Sequence, residues 1–385
     1  MPQVDVMHVC YGGMGGVRSV VNALTDQLGS VGLSTAVVPI GRREELDDDP
    51  GAWPGAKIVE PVILKHRADL SSMYRSWSVA RRVKARAVFV HSPRHAIPVY
   101  LGRKLTGQKP RIVTIEHSSV NDRSHSLDIN SASSLACSRA VVFLTPENEA
   151  GYPLRHIPFP ALARSFVIAN GVSLADFADV TRPVHRANDE FRVGMASRVV
   201  AAKDFDTLVK AMAVLQAKRA DVPIRLVLAG DGPELPRIRE LAHSLGADAV
   251  IDFIGSIPES RIPAFLGWLD AYVQATHGET LSMSLLQAAA ARVPIVASDV
   301  AGVNDIFAQG VHARLTAHES ADGLADGIIE VLTNPEWAEE LADNAYAMVA
   351  SRYTSAQMAI AYLEMLEGID ADGPWSEAAQ KLATL

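Results

Sequence analysis

Two cations lie five positions apart in the segment GMASRVVAAKDFDTLVKA (194–211), between a strand pattern and a helix pattern. Arg198 offers a planar fork of donors and Lys203 a point charge, and such a pair can bind a diphosphate. Two cations on a loop also fit a solvated surface pair, which is the simpler interpretation without further context. Further along, Glu279 stands at the mouth of another strand-to-helix turn, and Gln287 follows two helical turns later.

A glycine-rich turn, GGMGG (12–16), follows the first strand pattern and opens a helix. Such turns let the backbone approach a phosphate or a sugar closely, and the helix N-terminus favours anions. If Gly13 and Gly15 are the first two glycines of G-x-G-x-x-G, the third position is Arg18, which breaks the dinucleotide fingerprint. No acidic residue stands about 20 positions further on. The turn therefore disfavours a dehydrogenase and leaves either a ligand-binding loop or a simple tight turn.

Two strand patterns end in histidine, RAVFVH at His91 and RIVTIEH at His117. A histidine at a strand's carboxyl end can contact a sugar hydroxyl or transfer a proton. We interpret His91 as a capping or turn residue. The sequence has no HExxH, no Cys/His cluster, no GxSxG and no Walker A loop, so we expect neither a bound metal nor a cofactor. The acidic EELDDD (44–49) is interpreted as a solvated loop.

Short apolar strand patterns, each followed by a helix pattern, recur in two series separated by the polar segment 179–190. The first series is 4–11, 33–40, 86–91, 111–117, 140–145 and 165–170, and the second is 191–196, 224–230, 249–255, 271–275 and 294–298. This order predicts an α/β protein with two doubly wound Rossmann-like domains facing across a cleft, where a ligand would bind. We expect an N-terminal domain at 1–178, a C-terminal domain at 191–352, and a C-terminal helix in 353–385 that packs back on the first domain and ends in a frayed tail from Asp370.

Composition supports two domains in a cytoplasmic protein. The chain has 385 residues, which is longer than a single hydrophobic core usually supports. Its 48% hydrophobic and 21% charged residues are ordinary for a globular protein. Its two cysteines, Cys10 and Cys137, form no framework of disulfides, and we do not expect the N-terminal segment to be a signal peptide. Residues 1–177 hold 20 Lys+Arg against 15 Asp+Glu, whereas the remainder holds 16 against 29. This asymmetry predicts two units with different partners.

In this order the motifs resemble those of the retaining, nucleotide-sugar-dependent glycosyltransferases of family 4 (glycosyl transferases group 1), which have the GT-B fold. The resemblance runs from residue 4 to about residue 365. Its motifs are GGMGG (12–16), TIEHSS (114–119), IANGVS (168–173), SRVVAAKDF (197–205), AGDGPE (229–234) and GETLSMSLLQAAAARVPIVASDVAGVNDI (278–306).

The resemblance implies a role for each matching position. Arg198 and Lys203 would neutralise the donor's pyrophosphate, and Glu279 would accept hydrogen bonds from the transferred sugar. His117 would lie beside that sugar, and Gln287 would face the ribose. Together with Glu279, Arg198 and Lys203, His117 forms the catalytic set. The implied donor-binding residues are Gly15, Gly16, Arg198, Lys203, Gly230, Ile257, Glu279, Thr280, Leu281, Ser282 and Gln287.

Three positions depart from the family pattern. Gln287 replaces a glutamate, and an amide has only one accepting oxygen, so we expect ribose binding to weaken by about 1 kcal/mol. The family's G-F-G is Thr280, Leu281 and Ser282 here, which leaves the donor sugar open. Asp305 replaces the last glutamate.

The resemblance implies a retaining, metal-independent hexosyltransferase that uses a UDP-sugar in preference to a GDP-sugar. A nucleotide-sugar 2-epimerase and a non-catalytic nucleotide-sugar-binding protein remain the alternatives. The acceptor is open between lipid-linked, saccharide and small-molecule classes, and no nucleic-acid partner is expected. Residues 65–111 hold 12 Lys+Arg against one acid, so this region either contacts an anionic inner membrane face or forms a solvated basic surface.

Overall fold

The strands form two parallel sheets, one in each of two units. The computed structural model describes residues 3–13, 15–43, 46, 53–64, 78–79, 82–104, 111–117, 136–151, 163–181, 190–218 and 223–384. By its contacts the chain divides into Met1–Gly171 with Ser355–Leu385 (unit 1) and Val172–Thr354 (unit 2). The sequence analysis placed the corresponding limits at 178 and 353.

Unit 1 contains a sheet of eight strands within the described residues, and every pairing in it is parallel. The strands are β1 (Gln3–Tyr11), β2 (Thr35–Arg42), β3 (Ile58–Val59), β4 (Val62–Leu64), β5 (Lys84–Val90), β6 (Arg111–Glu116), β7 (Ala140–Phe143) and β8 (Arg164–Val167). Their order is β3-β2-β1-β5-β6-β7-β8, with β4 also paired to β2. Near-continuous apolar runs form these strands because helices and loops cover both faces of a parallel sheet.

The helices of unit 1 include two from the C-terminal end of the chain. The unit's helices are Gly16–Ser30, Ala96–Lys104, Pro146–Ala150, Ser355–Ile369 and Trp375–Leu382. The expectation of a frayed tail from Asp370 is wrong, since Trp375 is fully buried at the start of the last helix. Asp370 itself accepts a hydrogen bond of 2.8 Å from Arg111 Nη2. The tail is ordered because it contributes a large aromatic side chain to the core.

Unit 2 is a second doubly wound sheet with strand order β11-β10-β9-β12-β13-β14, again parallel throughout. Its strands are β9 (Phe191–Ala196), β10 (Ile224–Ala229), β11 (Ile251–Gly255), β12 (Ala271–Gln274), β13 (Ile295–Asp299) and β14 (Arg314–Ala317). Its helices are Phe205–Lys218, Leu235–Ser244, Ile262–Gly267, Met283–Ala290, Ala321–Thr333 and Pro335–Arg352.

The strand order of unit 2 reverses between β9 and β12. The chain runs outward from β9 to β11 on one side and from β12 to β14 on the other. In open parallel sheets, ligands bind beyond the carboxyl ends of the strands at such a reversal. The loops that follow β9 and β12 are therefore the first place to look for a site in this unit.

Three strands were not predicted from the sequence: β3, β4 and β14. The first two contain only two and three residues, which is too short for a periodic signal. β14 has the sequence RLTA, in which only Leu315 is strongly apolar. Among the described residues, no helix is both long enough and apolar enough to span a bilayer.

Candidate functional site

The loops after β9 and β12 bring together side chains that are 76 positions apart in the sequence. Lys203 Nζ donates a hydrogen bond to Glu279 Oε1 and forms an ion pair with it. The two side chains are largely buried, with exposed fractions of 18% and 12%. Asp204 N–H donates to Ala275 O at 3.2 Å, so backbone contacts also join the two loops. Lys203 and Glu279 thus lie together at the reversal of the sheet.

A third side chain fixes the carboxylate of Glu279. Gln274, fully buried at the end of β12, donates from Nε2 to Glu279 Oε1 at 2.8 Å. Because Oε1 receives both this bond and the one from Lys203, it is fully engaged within the protein. Oε2 has no partner among the described residues. The protein therefore holds the carboxylate by one oxygen and leaves the other available to a ligand.

Gln274 was missed by the sequence analysis, although a signal was present. It is a polar residue at the end of an otherwise apolar strand, AYVQ. Its amide also lies 3.1 Å from Ser282 Oγ, and Ser282 caps the helix Met283–Ala290 by accepting from Leu285 N–H. The network thus runs from the carboxylate to the N-terminus of that helix, where unpaired N–H groups favour an anion.

Arg198 lies on the loop after β9, and its exposed side chain has no hydrogen-bond partner among the described residues. The AGDGPE turn holds the backbone on either side of it. Val199 N–H donates to Asp231 O at 2.9 Å, and a Cβ on Gly232 would lie 2.2 Å from Val199 O. Gly230, which was predicted to bind the donor, contacts Ser197 O in the same close manner. These glycines allow the turn to support the Arg198 loop directly.

The backbone of Glu279 is held from the other side by the turn after β13. Glu279 N–H donates to Ala301 O at 3.1 Å, and a Cβ on Gly302 would lie 1.9 Å from Glu279 O. Asp305 Oδ2 accepts from Gly302 N–H at 2.8 Å. Asp305, which replaces a family glutamate, therefore acts by fixing the turn against Glu279.

The remaining predicted residues of unit 2 are placed as follows. Thr280, Leu281 and Ser282 are buried between Glu279 and the helix. Gln287 is half-buried on that helix, and its side chain has no hydrogen bond within the described part of the chain. Ile257 follows β11, the edge strand, and is half-buried.

Unit 1 contains a chain of three imidazoles on neighbouring strands. His8 Nδ1 lies 3.1 Å from His91 Nε2, and His91 Nδ1 lies 3.0 Å from His117 Nε2. The rings stack in sequence with centroids 5.4 and 5.2 Å apart. The interpretation of His91 as a capping or turn residue is wrong, because its buried side chain bridges the other two. The pattern of apolar residues along each strand could not reveal the contact between the three histidines, because that contact depends on the strand order β1-β5-β6.

Burial keeps these histidines neutral. It lowers the pKa of His8 to about 3 and of His117 to about 4, and it lowers the pKa of His91 well below 6.5. A neutral imidazole has one N–H, and the buried His8 Nε2 has no partner in the described residues. An unpaired lone pair there costs less than an unpaired N–H. His8 therefore donates to His91 and His91 to His117, so that His117 keeps its N–H at Nδ1.

The glycine turn of unit 1 leads into the helix Gly16–Ser30. Gly15 and Gly16 are both exposed, and Arg18 N–H and Ser19 N–H donate back to Gly15 O. The exposed backbone of these glycines leaves a close approach by a ligand possible in space, and the contact of Gly15 and Gly16 with a donor stays a prediction.

A further group lies beside the Lys203–Glu279 pair. Among the described residues, Asp204, His277 and His318 bring one potential metal-ligand atom each to within 4.8 Å of one another. No sequence motif predicted this group, because its residues lie on three separate loops, after β9, β12 and the unpredicted β14. Its individual signals were two histidines just beyond the carboxyl ends of strands and an aspartate directly before the helix Phe205–Lys218.

Some predicted features lie outside the described residues. These are residues 65–77, 80–81 and 105–110 of the basic region, the segment 118–119 of the TIEHSS motif and most of the acidic loop 44–49.

Residues 178–348 match the family described as glycosyl transferases group 1. An alpha-D-kanosaminyltransferase of Streptomyces kanamyceticus is 27% identical over 46% of this chain and 48% of that protein. A GDP-mannose-dependent alpha-(1-6)-phosphatidylinositol monomannoside mannosyltransferase of Mycobacterium tuberculosis is 28% identical over 49% of this chain and 51% of that protein. The chain thus matches about half the length of these curated relatives.

The structure is similar over nearly its whole length to that of HepE from Anabaena in complex with UDP and glucose. The TM-score is 0.78 at 15% identity, covering 94% of this chain and 99% of that one. Two parallel-sheet α/β domains with this likeness define the GT-B fold. Residues 178–348 accordingly match the glycosyl transferases group 1 model, and the chain has the GT-B fold.

Proposed function

We propose that the protein is a retaining glycosyltransferase that moves a hexose from a nucleotide sugar to a hydroxyl group of an acceptor. The observation that carries this proposal is the network of Lys203, Gln274 and Glu279 at the reversal of the second sheet. It combines a cation, a carboxylate with one unused oxygen and the N-terminus of a helix. These are the groups that a sugar diphosphate requires.

The diphosphate would be bound by Arg198, Lys203 and the N-terminus of the helix Met283–Ala290. Arg198 has its full fork of donors available. Lys203 uses one donor on Glu279, and an ammonium group has three, so it can reach a phosphate oxygen without losing the carboxylate. Backbone N–H groups near Leu281 and Ser282 would supply the remaining donors.

The sugar would be bound by Oε2 of Glu279. Hydroxyl groups donate well to a carboxylate oxygen, and the bonds are charge-assisted. Lys203 and Gln274 orient this carboxylate before the donor arrives, which reduces the entropy lost on binding. Gln287 would face the ribose as a neutral group.

In the proposed reaction the bond between the anomeric carbon and the leaving diphosphate oxygen breaks, and the acceptor oxygen attacks from the same face. That diphosphate oxygen takes the acceptor's proton, so the products are the glycoside and the protonated nucleotide diphosphate. Arg198, Lys203 and the helix N-terminus stabilise the negative charge that develops on the leaving group. No protein nucleophile is used, and the configuration of the sugar is retained.

The donor is proposed to be a UDP-sugar, with a GDP-sugar as the second possibility. HepE, which has the same fold, was solved with UDP and glucose, whereas the mycobacterial relative is named for GDP-mannose. The names of both curated relatives specify alpha-glycosyl transfer. The acceptor would be a glycolipid, polysaccharide or glycoconjugate precursor, and the proposed location is the cytoplasm or the inner membrane face.

The test is to incubate the purified protein with a panel of UDP- and GDP-sugars and to identify the products. Release of free nucleotide supports the transferase and names the donor. An isomerised sugar indicates an epimerase instead, and binding without turnover indicates a non-catalytic nucleotide-sugar-binding protein. Turnover is expected to be independent of added Mg²⁺, and a Mg²⁺ requirement would contradict the role given to Arg198 and Lys203.

A further inference from the structure

We propose that Asp204, His277 and His318 bind a divalent transition-metal ion of the zinc class. The three residues follow β9, β12 and β14 in unit 2, and their ligand atoms lie within 4.8 Å of one another. The site uses none of the residues proposed to bind the sugar or the diphosphate, and it does not rest on the proposed function.

One oxygen of the Asp204 carboxylate is held by the protein, and the second is left for a metal ion. Oδ1 caps the helix Phe205–Lys218 by accepting from Thr207 N–H at 3.1 Å. Oδ2 is buried without a hydrogen-bond partner in the described structure, and the residue as a whole is only 4% exposed. An unpaired buried carboxylate oxygen is costly, and a cation beside it removes that cost.

The two histidines have neighbouring ring nitrogens that could both bind one ion. His277 Nδ1 lies 2.9 Å from His318 Nε2, with the ring planes perpendicular. Two imidazole nitrogens bound to zinc at the tetrahedral angle lie roughly 3.4 Å apart. With side-chain exposures of 43% and 39%, both rings can shift by the few tenths of an ångström required.

The carboxylate of Glu319 is available as a fourth ligand. Its Oε1 lies 3.4 Å from His277 Nδ1 and 3.8 Å from His318 Nε2. Backbone bonds already hold two of the ligand loops together, since His277 N–H donates to Ala202 O and Asp204 N–H donates to Ala275 O. The ion therefore meets two nitrogen atoms and one carboxylate oxygen that already lie close together, with the Glu319 carboxylate beside the two histidines.

This donor set selects the metal. Imidazole nitrogen suits zinc and its first-row neighbours, whereas Mg²⁺ and Ca²⁺ require oxygen ligands. Asp204 directly follows Lys203, and His277 lies two residues before Glu279. A bound ion would thus cross-link the two loops that hold the Lys203–Glu279 pair.

The test is calorimetric titration of Zn²⁺ into the full chain without an affinity tag, supported by the visible absorption spectrum of the Co²⁺ form. We expect one equivalent to bind, and we expect His318→Ala to weaken this binding by at least about tenfold. Asp204→Asn should weaken it similarly while keeping the helix cap, because an asparagine oxygen also accepts from Thr207 N–H. Circular dichroism checks that both variants fold.

His243→Ala is the matched control, because His243 is an exposed histidine of unit 2 that lies 3.3 Å from a carboxylate of its own, Asp248. This variant should bind Zn²⁺ as the wild type does. The proposal is overturned if folded His318→Ala binds Zn²⁺ as tightly as the wild type, or if the wild type takes up no more Zn²⁺ than His277→Ala/His318→Ala. Neither readout involves a nucleotide sugar, so failure here leaves the proposed function intact.

Discussion

The two oxygens of the Glu279 carboxylate differ in their surroundings. Oε1 receives hydrogen bonds from Lys203 and Gln274, while Oε2 has no partner among the described residues. Gln274 does not reach a ligand in this arrangement and is a positioning residue. Its removal would leave the carboxylate held, in the described part of the chain, by Lys203 alone.

Gln274→Leu is therefore expected to lower kcat/KM for nucleotide release by about tenfold, because Glu279 loses a hydrogen bond to a charged group. The discriminating measurement is a double-mutant cycle with Glu279→Ala. If Gln274 acts through Glu279, adding Gln274→Leu to Glu279→Ala costs almost nothing further. Full additivity of the two losses would contradict the positioning role.

At Gln287 the proposed ribose contact is made by a neutral amide. Gln287→Glu restores a charged acceptor, and we expect it to tighten binding of the free nucleotide by about fivefold, which corresponds to about 1 kcal/mol. Calorimetric titration of UDP and of GDP measures the change. Gln380→Glu, on an exposed surface of unit 1, is the control and should have no effect. An unchanged nucleotide affinity in Gln287→Glu would contradict the proposed contact between residue 287 and the ribose.

At the scale of elements, two glycine turns support the site from beneath. The turn after β10 packs on the Arg198 loop through Gly230 and Gly232, and the turn after β13 packs on Glu279 through Gly302. Neither turn needs to touch the ligand to affect its binding. They contribute by letting the backbone of the turn pack directly against the backbone of the site loop, where a side chain on the glycine would collide.

Gly232→Ala tests this element directly. The new Cβ would lie 2.2 Å from Val199 O, so the loop that carries Arg198 must move. We expect nucleotide affinity to fall by at least about tenfold while the fold persists, since surface loops yield more readily than the core. Gly29→Ala is the control, because a Cβ there meets nothing within 4 Å. Equal nucleotide affinity in the two variants would contradict the supporting role of the turn.

The sequence was sufficient for those features that depend on local pattern. Apolar runs predicted most strands, and strand-end positions marked Arg198, Lys203 and Glu279. It was insufficient where a contact depends on strand order. The bridge formed by His91 requires β5 to lie between β1 and β6. The group of Asp204, His277 and His318 requires β14, whose residues carry little apolar signal. The role of Gln274 was hidden for a related reason, since its partner is a carboxylate on a later turn.

At the scale of the whole molecule, the three neutral histidines make stability depend on pH. In the folded protein the pKa of His8 is about 3 and that of His117 about 4, whereas an unfolded histidine has a pKa of about 6.5. Below pH 6.5 the unfolded chain therefore binds protons that the folded chain does not. The free energy of unfolding should be greatest above pH 6.5 and fall as the pH drops towards 4, by up to about 1.4 kcal/mol per pH unit for each histidine.

Denaturant titrations between pH 7.5 and 4.5 (a range of about three units around the histidine pKa) measure this loss. His243→Ala should lose stability in parallel with the wild type, because His243 is exposed and does not belong to the buried chain of imidazoles. A free energy of unfolding that stays constant from pH 7 to pH 5 would show that the three histidines are not buried as neutral groups.

The central claim is that Arg198 and Glu279 hold a nucleotide sugar for transfer. Its most direct test is the rate of nucleotide release from the preferred donor, compared between the wild type, Arg198→Ala, Glu279→Ala and the control Arg239→Ala. Arg239 is also an arginine of unit 2, and its guanidinium packs over Phe253. We predict losses of about 10²-fold or more for Arg198→Ala and about tenfold or more for Glu279→Ala, with Arg239→Ala unchanged. Release at the wild-type rate by folded Arg198→Ala and Glu279→Ala would contradict the account.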